Sequence, residues 1–302
     1  MRITFRTLFK TPSGLEYLYL SKGPNDMLCV QGSQALEGRI RRVYSCGLRL
    51  YEAAQDVSLQ PVSCVSTKYG FNAVFEGSLG GPLREFLKHA PAVVQYAQGK
   101  RIGRILKAFH SLPLSKLQEE KAHKRQSSFL ERLAQYISSM PHFKGDSQAI
   151  DVISKRFGNY DCYRMCMRYG QLRHDRIFVR PDFGAVLLPS STSAPGDICE
   201  DFALMECMSA GMYPLCCAGI IDGYFQGNVP KDFFAGMALH SALYSLWKCG
   251  KLASVSSKAY QLMQGEFDRI VADFRGFKEY VPLWYSAYET KKVKDDAIRN
   301  GF

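Results

Sequence analysis

One stretch of this sequence decides how its fold is interpreted, namely Tyr169-Gly170-Gln171-Leu172-Arg173-His174-Asp175-Arg176, followed directly by Ile177-Phe178-Val179. Its first part is polar and rich in charge, and its second part is apolar. The pattern predicts a loop that runs into a short strand.

The same stretch resembles a kinase catalytic loop. Protein kinases carry H-R-D-L-x-x-x-N before an apolar strand, and small-molecule kinases of the aminoglycoside phosphotransferase and choline kinase group carry H-G-D-x-x-x-x-N. Gly170 and Leu172 fit this frame. Tyr169 stands in the His position, Gln171 in the position of the base Asp, and Arg176 in that of the metal-binding Asn. The resemblance therefore implies a kinase-like fold that has lost phosphoryl transfer.

The residues after the loop extend the resemblance. A turn at Arg180-Pro181-Asp182 leads into an apolar strand, Phe183–Leu188, and the Asp that should hold Mg²⁺ after this strand is replaced by Pro189. Gly196-Asp197-Ile198-Cys199-Glu200-Asp201-Phe202 then resembles the G-D-P-x-x-D-(F/L) helix start of the family. Asp197 is expected to be structural there, because an Asp at a helix start commonly caps it.

The N-terminal residues predict a hairpin over Arg2–Leu20, with its turn at Thr11-Pro12-Ser13-Gly14. It resembles the second and third strands of a kinase small lobe, so that a first strand and its Gly-rich, phosphate-covering loop would lie before Met1 and be absent. The third strand should carry a cation, but Tyr19–Ser21 has none, and Lys22 is interpreted as a turn residue.

The region Ala35–Gln55 has helical periodicity and would be the small lobe's helix. The acid on its inner face, which pairs with the third-strand cation in active kinases, falls near Tyr44–Cys46 and is missing. Both members of this ion pair are therefore expected to be absent.

Two further strands are predicted, Pro61–Val65 and Gly70–Gly77, and Glu76 with the Gly after it resembles the end of the family's hinge strand. The boundary between domains is placed after this hinge. The expected fold is an α+β, two-lobed, protein kinase-like fold, with a truncated, β-rich small lobe over residues 1–79 and a mainly helical large lobe over residues 80–302.

The segment Gln95–Pro113 resembles the first large-lobe helix of the family, which runs to an I-H-S-x-P-like end. Gly99, Gly103 and Leu106 share one face of this helix and permit close helix packing. His110 is interpreted as a packing residue, because a lone His needs a partner to act as a catalyst.

The composition is that of an ordinary globular protein, with 46% apolar and 22% charged residues. No apolar run is long enough to span a membrane, and the N-terminus lacks the pattern of a signal peptide. Ten Cys without regular spacing, Cys162/Cys166 and Cys216-Cys217 being the closest groups, indicate reduced thiols, so that a cytoplasmic location is expected.

The formal net charge of +11 favours anionic partners. No zinc-finger, RNP or Gly-clamp pattern supports specific readout, so nucleic acid is not the expected partner. The leading hypothesis is a pseudokinase that acts as a scaffold or regulator, with a protein partner or an anionic small ligand. Arg173, Arg176 and Glu76 are its candidate ligand-binding residues; a guanidinium at the former metal position could bind phosphate or carboxylate directly. No metal ligand and no cofactor are expected.

Two alternatives remain open. In the first, the chain is an active small-molecule kinase that uses ATP and Mg²⁺ with displaced catalytic residues, taken from Asp175, Asp182 and Asp197. The letters Arg173-His174-Asp175 and Asp182-Phe183-Gly184 imitate H-R-D and D-F-G, but they stand too close together for the strands that should separate them. In the second alternative, the basic surface binds nucleic acid or a membrane.

Overall fold

The computed structural model describes residues 6–21, 26–157, 160, 164–253 and 257–301. The predicted turn residue Lys22 and the cysteine Cys162 therefore lie outside the described residues. The chain divides into two units that alternate along the sequence. Unit 1 consists of Met1–His89, Ile105–Leu112 and Tyr169–Ala194, and unit 2 of Ala90–Arg104, Pro113–Arg168 and Pro195–Phe302.

The strands of the described residues are β1 (Arg6–Lys10), β2 (Glu16–Leu20), β3 (Met27–Gly32), β4 (Gln60–Thr67), β5 (Gly70–Glu76), β6 (Gly81–Pro82), β7 (Met165–Arg168), β8 (Ile177–Val179), β9 (Ala185–Leu187) and β10 (Ala194–Asp197). The α-helices are α1 (Glu37–Ala53), α2 (Leu83–His89), α3 (Ala92–Ser111), α4 (Lys116–Ser127), α5 (Phe129–Ser139), α6 (Asp146–Arg156), α7 (Cys199–Met205), α8 (Pro214–Phe225), α9 (Lys231–Ala253), α10 (Ser257–Asp273), α11 (Leu283–Ser286) and α12 (Tyr288–Arg299). A π-helical turn, Glu206–Ala210, follows α7.

Unit 1 is built on an antiparallel sheet in the order β1-β2-β3-β5-β4. Alternate residues point to one face, because side chains in a strand have a period of two. Tyr19 thus stands opposite Leu28, and Leu28 opposite Phe75, and all three side chains are buried. Ile40 and Val43 of α1 belong to the same core.

The strand β3 corrects the prediction for the small lobe. The strand directly before the helix α1 is Met27–Gly32, so the N-terminal hairpin supplies the first and second strands and not the second and third. The predicted truncation, with a first strand missing before Met1, was therefore wrong. Sequence reasoning missed β3 because it mixes Cys29 and Gln31 with apolar residues and follows a Gly-Pro pair that indicated a longer loop.

The predicted helix over Ala35–Gln55 is confirmed, with small shifts at its ends, and the predicted hairpin is confirmed from Arg6 onwards. The part of the predicted hairpin over residues 2–5 lies outside the described residues. Unit 1 also contains a second sheet in the order β6-β8-β9. In it, Phe178 of β8 pairs with Val186 of β9, and both side chains join the core beneath the larger sheet. The core of unit 1 therefore continues without interruption from the large sheet into the hairpin β8–β9.

Unit 2 is mainly helical. Gly99 and Gly103 on α3 face main-chain oxygen atoms of Cys216 and Ile220 on α8, so the predicted close packing of this glycine face is confirmed. Phe233, in the core of the unit, packs edge to face against both Phe202 and Phe225. None of the described helices combines the length and the apolar character that a membrane span requires.

The helix contact through glycine gives a test of this packing. A Cβ at position 103 would overlap the carbonyl oxygen of Ile220, which is backbone and cannot turn aside. We expect Gly103→Ala to lower the free energy of unfolding by about 1–3 kcal/mol in denaturant titrations, the usual cost of overpacking. The matched control is Gly265→Ala on α10, where a Cβ meets nothing. It should raise the free energy of unfolding by about 0.5–1 kcal/mol, since Ala favours helix. Equal effects at both positions would contradict this packing.

Candidate functional site

The loop Tyr169–Arg176 joins β7 to β8. Tyr169, in the predicted His position, is fully buried. Its hydroxyl donates to the carbonyl of Leu188 at 2.8 Å, and its ring meets Phe109 edge to face. These contacts hold the loop against the chain after β9, so Tyr169 has a packing role.

Gln171, in the position of the base, is held by the segment after β9. Its Nε2 donates to Thr192 Oγ1 at 3.2 Å, and Thr192 Oγ1 donates to the carbonyl of Gly170 at 2.8 Å. Gly170 has φ +75°, and a Cβ there would approach Thr192 O within 2.6 Å, so a residue with a side chain would be strained at this position. An amide in this position can orient a hydroxyl but does not accept its proton at ordinary pH.

Asp175, one of the candidate substitutes for the base, is tied to Arg173. The guanidinium donates to both carboxylate oxygens, at 2.8 and 2.7 Å, in a bidentate pair. Burial on its own would raise the pKa of Asp175, but the hydrogen bonds and charge of Arg173 outweigh it and hold the pKa below its ordinary value. Asp175 is thus a poor proton acceptor near neutral pH.

Arg176 stands in the position of the metal-binding Asn, and its guanidinium carbon lies 3.7 Å from the centre of the Phe9 ring on β1. Phe9 in turn stacks on Tyr17 of β2, with ring centres 4.4 Å apart. The Tyr17 hydroxyl donates to the carbonyl of Pro189 at 2.9 Å. We call these four residues the Tyr17 bridge. It connects the two positions that the sequence resemblance assigns to Mg²⁺ ligands, and it consists of a guanidinium, two rings and a proline carbonyl.

Burial shapes the ionisation of this bridge. It lowers the pKa of Arg176, which the charge of Asp175 at 3.9 Å opposes, and it raises the pKa of Tyr17 far above its ordinary value. Tyr17 is therefore a neutral donor, and Arg176 keeps its charge because its ordinary pKa is so high. A divalent cation brought to this place would meet a fixed positive charge.

A second tyrosine of β2, Tyr19, contacts the connection after β5. Tyr19 accepts a hydrogen bond from the Leu79 N–H at 3.2 Å and donates its own proton to Asp26. This connection follows Glu76, at the position that the resemblance assigns to the hinge. A nucleotide base placed against it would have to compete with Tyr19 for the Leu79 N–H.

The turn between β1 and β2 stands where active kinases have their phosphate-covering loop. Three of its N–H groups are used internally: Thr11 N–H bonds to the Leu15 carbonyl, Gly14 N–H to the Thr11 carbonyl, and Leu15 N–H to Thr11 Oγ1. Pro12 has no N–H to offer. The turn is therefore closed on itself and is not arranged to bind phosphate oxygens.

The ion pair of active kinases has no counterpart in the described part of unit 1. The residues of β3 that face the core are Leu28 and Val30, and both are fully buried and apolar. The buried face of α1 carries no acid. Glu37, at the start of α1, instead pairs with Arg41 on the helix surface.

The other candidate aspartates lie in different settings. Asp182 is in the turn between β8 and β9, where it accepts the Gly184 N–H at 2.9 Å and pairs with Arg180. The letters Asp182-Phe183-Gly184 thus form a hairpin tip, with Phe183 at φ +63°. Asp197 belongs to unit 2 and precedes α7, where it accepts the Tyr160 hydroxyl at 2.6 Å and the Cys199 N–H at 2.8 Å.

Two buried carboxylates near the start of α7, those of Asp197 and Glu200, are strongly stabilised in their charged form by neighbouring groups. Burial would raise the pKa of Asp197, but His240 and Tyr160 overcome it and lower the pKa to about 2. Burial likewise opposes the ionisation of Glu200, but Arg168, at 3.2 Å, and Arg125 lower its pKa to about 2. These contacts bind α7 to its surroundings within unit 2.

Mg²⁺, a cofactor of the kinase alternative together with ATP, does not fit Arg176 and Pro189, which offer no side-chain oxygen to a hard cation. The Leu79 N–H in the connection after Glu76 is already bound to Tyr19. Across the described ranges, no three His, Cys, Asp or Glu side chains are arranged to hold a metal ion.

The sequence frame brought together Tyr169, Gln171, Arg173, Arg176 and Pro189, and all five belong to unit 1. It did not identify Phe9, Tyr17 and Tyr19. The available signal was the alternation of Tyr17 and Tyr19 with leucine in β2, which puts both rings on one face of the strand.

No protein-family profile matches the sequence, and no curated protein is significantly similar to it. Solved structures do match its fold. Aminoglycoside phosphotransferase APH(4)-Ia aligns with a TM-score of 0.64 at 12% identity, over 89% of this chain and 93% of that one. Spectinomycin phosphotransferase APH(9)-Ia, in complex with ADP and spectinomycin, aligns with a TM-score of 0.61 at 11% identity, over 91% and 92%.

A choline/ethanolamine kinase family protein from Mesorhizobium loti aligns with a TM-score of 0.59 at 13% identity, over 98% of this chain and 92% of that one. The predicted fold class is therefore confirmed: this chain has the kinase-like fold of the aminoglycoside phosphotransferases and choline kinases. The boundary predicted after residue 79 and the roles predicted for single site residues stay predictions.

The hydroxyl of Tyr17 tests the bridge. Tyr17→Phe keeps the ring stack but removes the buried hydrogen bond to Pro189. We expect the free energy of unfolding to fall by about 0.5–1.5 kcal/mol, the usual net value of such a bond. Tyr69→Phe is the matched control, because this tyrosine is 85% exposed, and its effect should stay within about 0.5 kcal/mol. A Tyr17→Phe protein as stable as the control would argue against the bridge.

Acid stability tests the carboxylates of α7. Asp197 and Glu200 have pKa values of about 2, below the ordinary 3.8 and 4.5. The unfolded chain therefore takes up protons at higher pH than the folded one. Their stabilisation is complete above pH 4.5 and is lost as the pH falls towards 2. Glu200→Gln should be less stable than the unaltered protein at neutral pH. Between pH 4.5 and pH 2 its free energy of unfolding should fall by less than that of the unaltered protein, the difference being on the order of 2–3 kcal/mol.

Denaturant titrations across this pH range measure the difference. The control is Glu120→Gln, an exposed glutamate on α4, which should leave the pH profile unchanged. A Glu200→Gln profile parallel to that of the unaltered protein would refute the assignment.

Proposed function

We propose that this protein is a catalytically impaired phosphotransferase-like protein, a pseudokinase that acts by binding a partner protein as a scaffold or regulator. The observation that carries the proposal is the Tyr17 bridge. It puts the charge of Arg176 at one former metal position, ties Pro189 at the other, and fills the interval with two stacked rings.

The chemistry of phosphoryl transfer explains why this matters. The reaction depends on positioning and on Mg²⁺, which neutralises the charge that develops on the phosphoryl oxygens. Arg176 cannot ligate a metal, because a guanidinium has donors and no acceptor. Gln171 cannot replace the base, and Asp175 is committed to Arg173. Metal binding and proton transfer are thus both impaired.

Nucleotide binding is opposed by a separate set of contacts. The Leu79 N–H is bound to Tyr19, the turn after β1 uses its own N–H groups, and the core-facing residues of β3 are apolar. A nucleotide would have to break buried hydrogen bonds and displace the rings before it gained any contact. The costs of leaving such buried groups without partners are about 1–3 kcal/mol each.

The retained fold is consistent with a binding role. A core of Leu, Val, Phe and Tyr side chains runs from the large sheet into the hairpin β8–β9 and keeps unit 1 rigid without a ligand. A folded scaffold with a closed interior presents only its surface to other molecules. The net charge of +11 favours an acidic partner for that surface.

Thermal melting with nucleotides tests the proposal. We expect ATP, ADP and GTP to leave the melting temperature unchanged, with and without Mg²⁺. A ligand present at about 100 times its Kd would add about 2.7 kcal/mol to the free energy of unfolding, a rise of several degrees. A Mg²⁺-dependent rise would overturn the proposal.

Turnover provides a second readout. The displaced-residue alternative predicts ATP consumption that is lost in Asp175→Asn or Asp197→Asn and kept in Glu120→Gln. We expect none of these proteins, including the unaltered one, to consume ATP above the buffer rate. ATP turnover that depends on either aspartate would show an active kinase.

A further inference from the structure

Unit 2 contains a groove between the C-terminal end of α6 and the chain that follows α10. It consists of two adjoining cavities. The first, of about 480 Å³, is lined among others by Lys155, Arg156, Arg275 and Lys278. The second, of about 300 Å³, shares Lys155 and Arg156 with the first and continues to Leu239 and Tyr280. We call the two together the basic groove. Each lies in the size range of ordinary ligand sites.

The charges lining this groove do not balance. The four cations face one lining acid, Asp151, which pairs with Lys155 at 2.7 Å. Glu279 pairs with Arg275 on the exposed surface. Such exposed pairs contribute little, so an incoming carboxylate can exchange with them at small cost. Lys278 has no ion pair among the residues that the structure describes.

Arg156 is held in the groove by the Tyr280 side chain. Its guanidinium carbon lies 4.6 Å from the centre of the Tyr280 ring, and it also donates to the Tyr280 hydroxyl. The stack holds the planar group in one orientation without an acid to neutralise it. A guanidinium fixed in this way suits a carboxylate, which it can bind through two parallel hydrogen bonds.

The loop that bears two of the cations has an unusual backbone. The φ values are +47° at Arg275, +67° at Gly276 and +59° at Phe277, a left-handed backbone conformation that residues other than glycine seldom adopt. Phe277 is buried and stacks on Phe274. Its burial keeps the loop in this conformation, so Arg275 and Lys278 are presented at the groove by a rigid anchor.

The groove also has an apolar component. Val152 and Phe277 belong to the first cavity, and Ala235, Leu239 and the ring of Tyr280 to the second. A small inorganic anion would use the cations and leave these residues without a contact. A ligand that carries both carboxylates and an apolar side chain would use both.

From this combination we propose that the basic groove binds an acidic segment of a partner protein. Carboxylates of that segment would pair with Lys155, Arg156, Arg275 and Lys278, and an apolar side chain would lie against Leu239 and Tyr280. The inference rests on the proposed binding function and assigns it a surface. The groove belongs to unit 2 and shares no residue with the Tyr17 bridge, so each can fail without the other.

The test uses the full chain and two fluorescein-labelled peptides. Both carry the same number of Asp and Glu residues, but one has Leu and Phe between them and the other has Ser. Fluorescence anisotropy at low and at physiological salt measures binding. We expect the Leu/Phe peptide to bind about tenfold or more tightly than the Ser peptide, with affinity falling as salt rises. Failure of the acidic Leu/Phe peptide to bind would overturn the groove, whatever the nucleotide melting shows.

Matched variants locate the site. Lys155→Gln with Lys278→Gln neutralises two groove cations and should weaken the Leu/Phe peptide by about tenfold. The control, Lys258→Gln with Lys292→Gln, removes the same charge from exposed positions on α10 and α12. Lys258 lies at the far end of α10, about 25 Å along the helix from Arg275. The control pair of substitutions should change the affinity for the Leu/Phe peptide by no more than about twofold.

Three results would overturn the proposal. Equal weakening by both pairs of substitutions would indicate attraction by the overall charge. Equal affinity for the two peptides would show that the apolar residues are not used. Full displacement of the Leu/Phe peptide by millimolar pyrophosphate at constant ionic strength would show a site for small anions. Thermal melting of both variants close to that of the unaltered protein confirms that a loss of binding is local.

Discussion

The buried hydrogen bond from the Tyr17 hydroxyl to the Pro189 carbonyl is the interaction on which the packing in this part of unit 1 depends. A buried phenol usually needs a partner for its hydroxyl, and Pro189, at the position that the resemblance assigns to a metal-binding carboxylate, supplies it. Phe9 then stacks on Tyr17, and Arg176 stacks on Phe9. Each group is stabilised by the next, so the four positions form one structural unit.

The Tyr17 bridge differs from the site of an active kinase in what makes it stable. An active kinase must keep an open, polar site for its nucleotide and metal, and it maintains charges there that oppose folding until the ligands bind. Here the same region contributes apolar contact and satisfied hydrogen bonds to the core. The stacked side chains and the buried hydrogen bonds of this region therefore act together as part of the core of unit 1.

A protein whose interior is closed interacts through its surface, and the two units offer different surfaces. The sheet of unit 1 is mostly neutral along β4, whose residues Gln60–Thr67 carry no charge. Unit 2 bears the basic groove, where a stacked arginine, two lysines and a left-handed loop surround a partly apolar floor. The positive net charge of the chain supports long-range attraction of acidic partners, and the groove adds the shape and apolar contact that such attraction lacks.

The sequence by itself determined the fold class and the identity of the residues at the former catalytic positions. Both depend on local information: a motif such as Tyr169–Arg176 is contiguous, and helical or strand periodicity repeats over a few residues. The glycine face of α3 was predictable for the same reason. That Arg176 and Pro189 stand at the predicted metal positions likewise follows from the motif frame, because that frame fixes each position relative to its neighbours.

Only the tertiary structure decided which side chains pack around Arg176 and Pro189. Residues 9, 17, 176 and 189 are distant in the chain, and nothing in the local pattern of any one of them indicates the other three. β3 also escaped prediction, because a strand of mixed polarity is defined by its pairing with β2 and β5 more than by its own residues. The basic groove depends in the same way on α6 and the loop after α10 meeting in space. Packing between distant segments has no periodic signature, so it is settled only when the chain has folded.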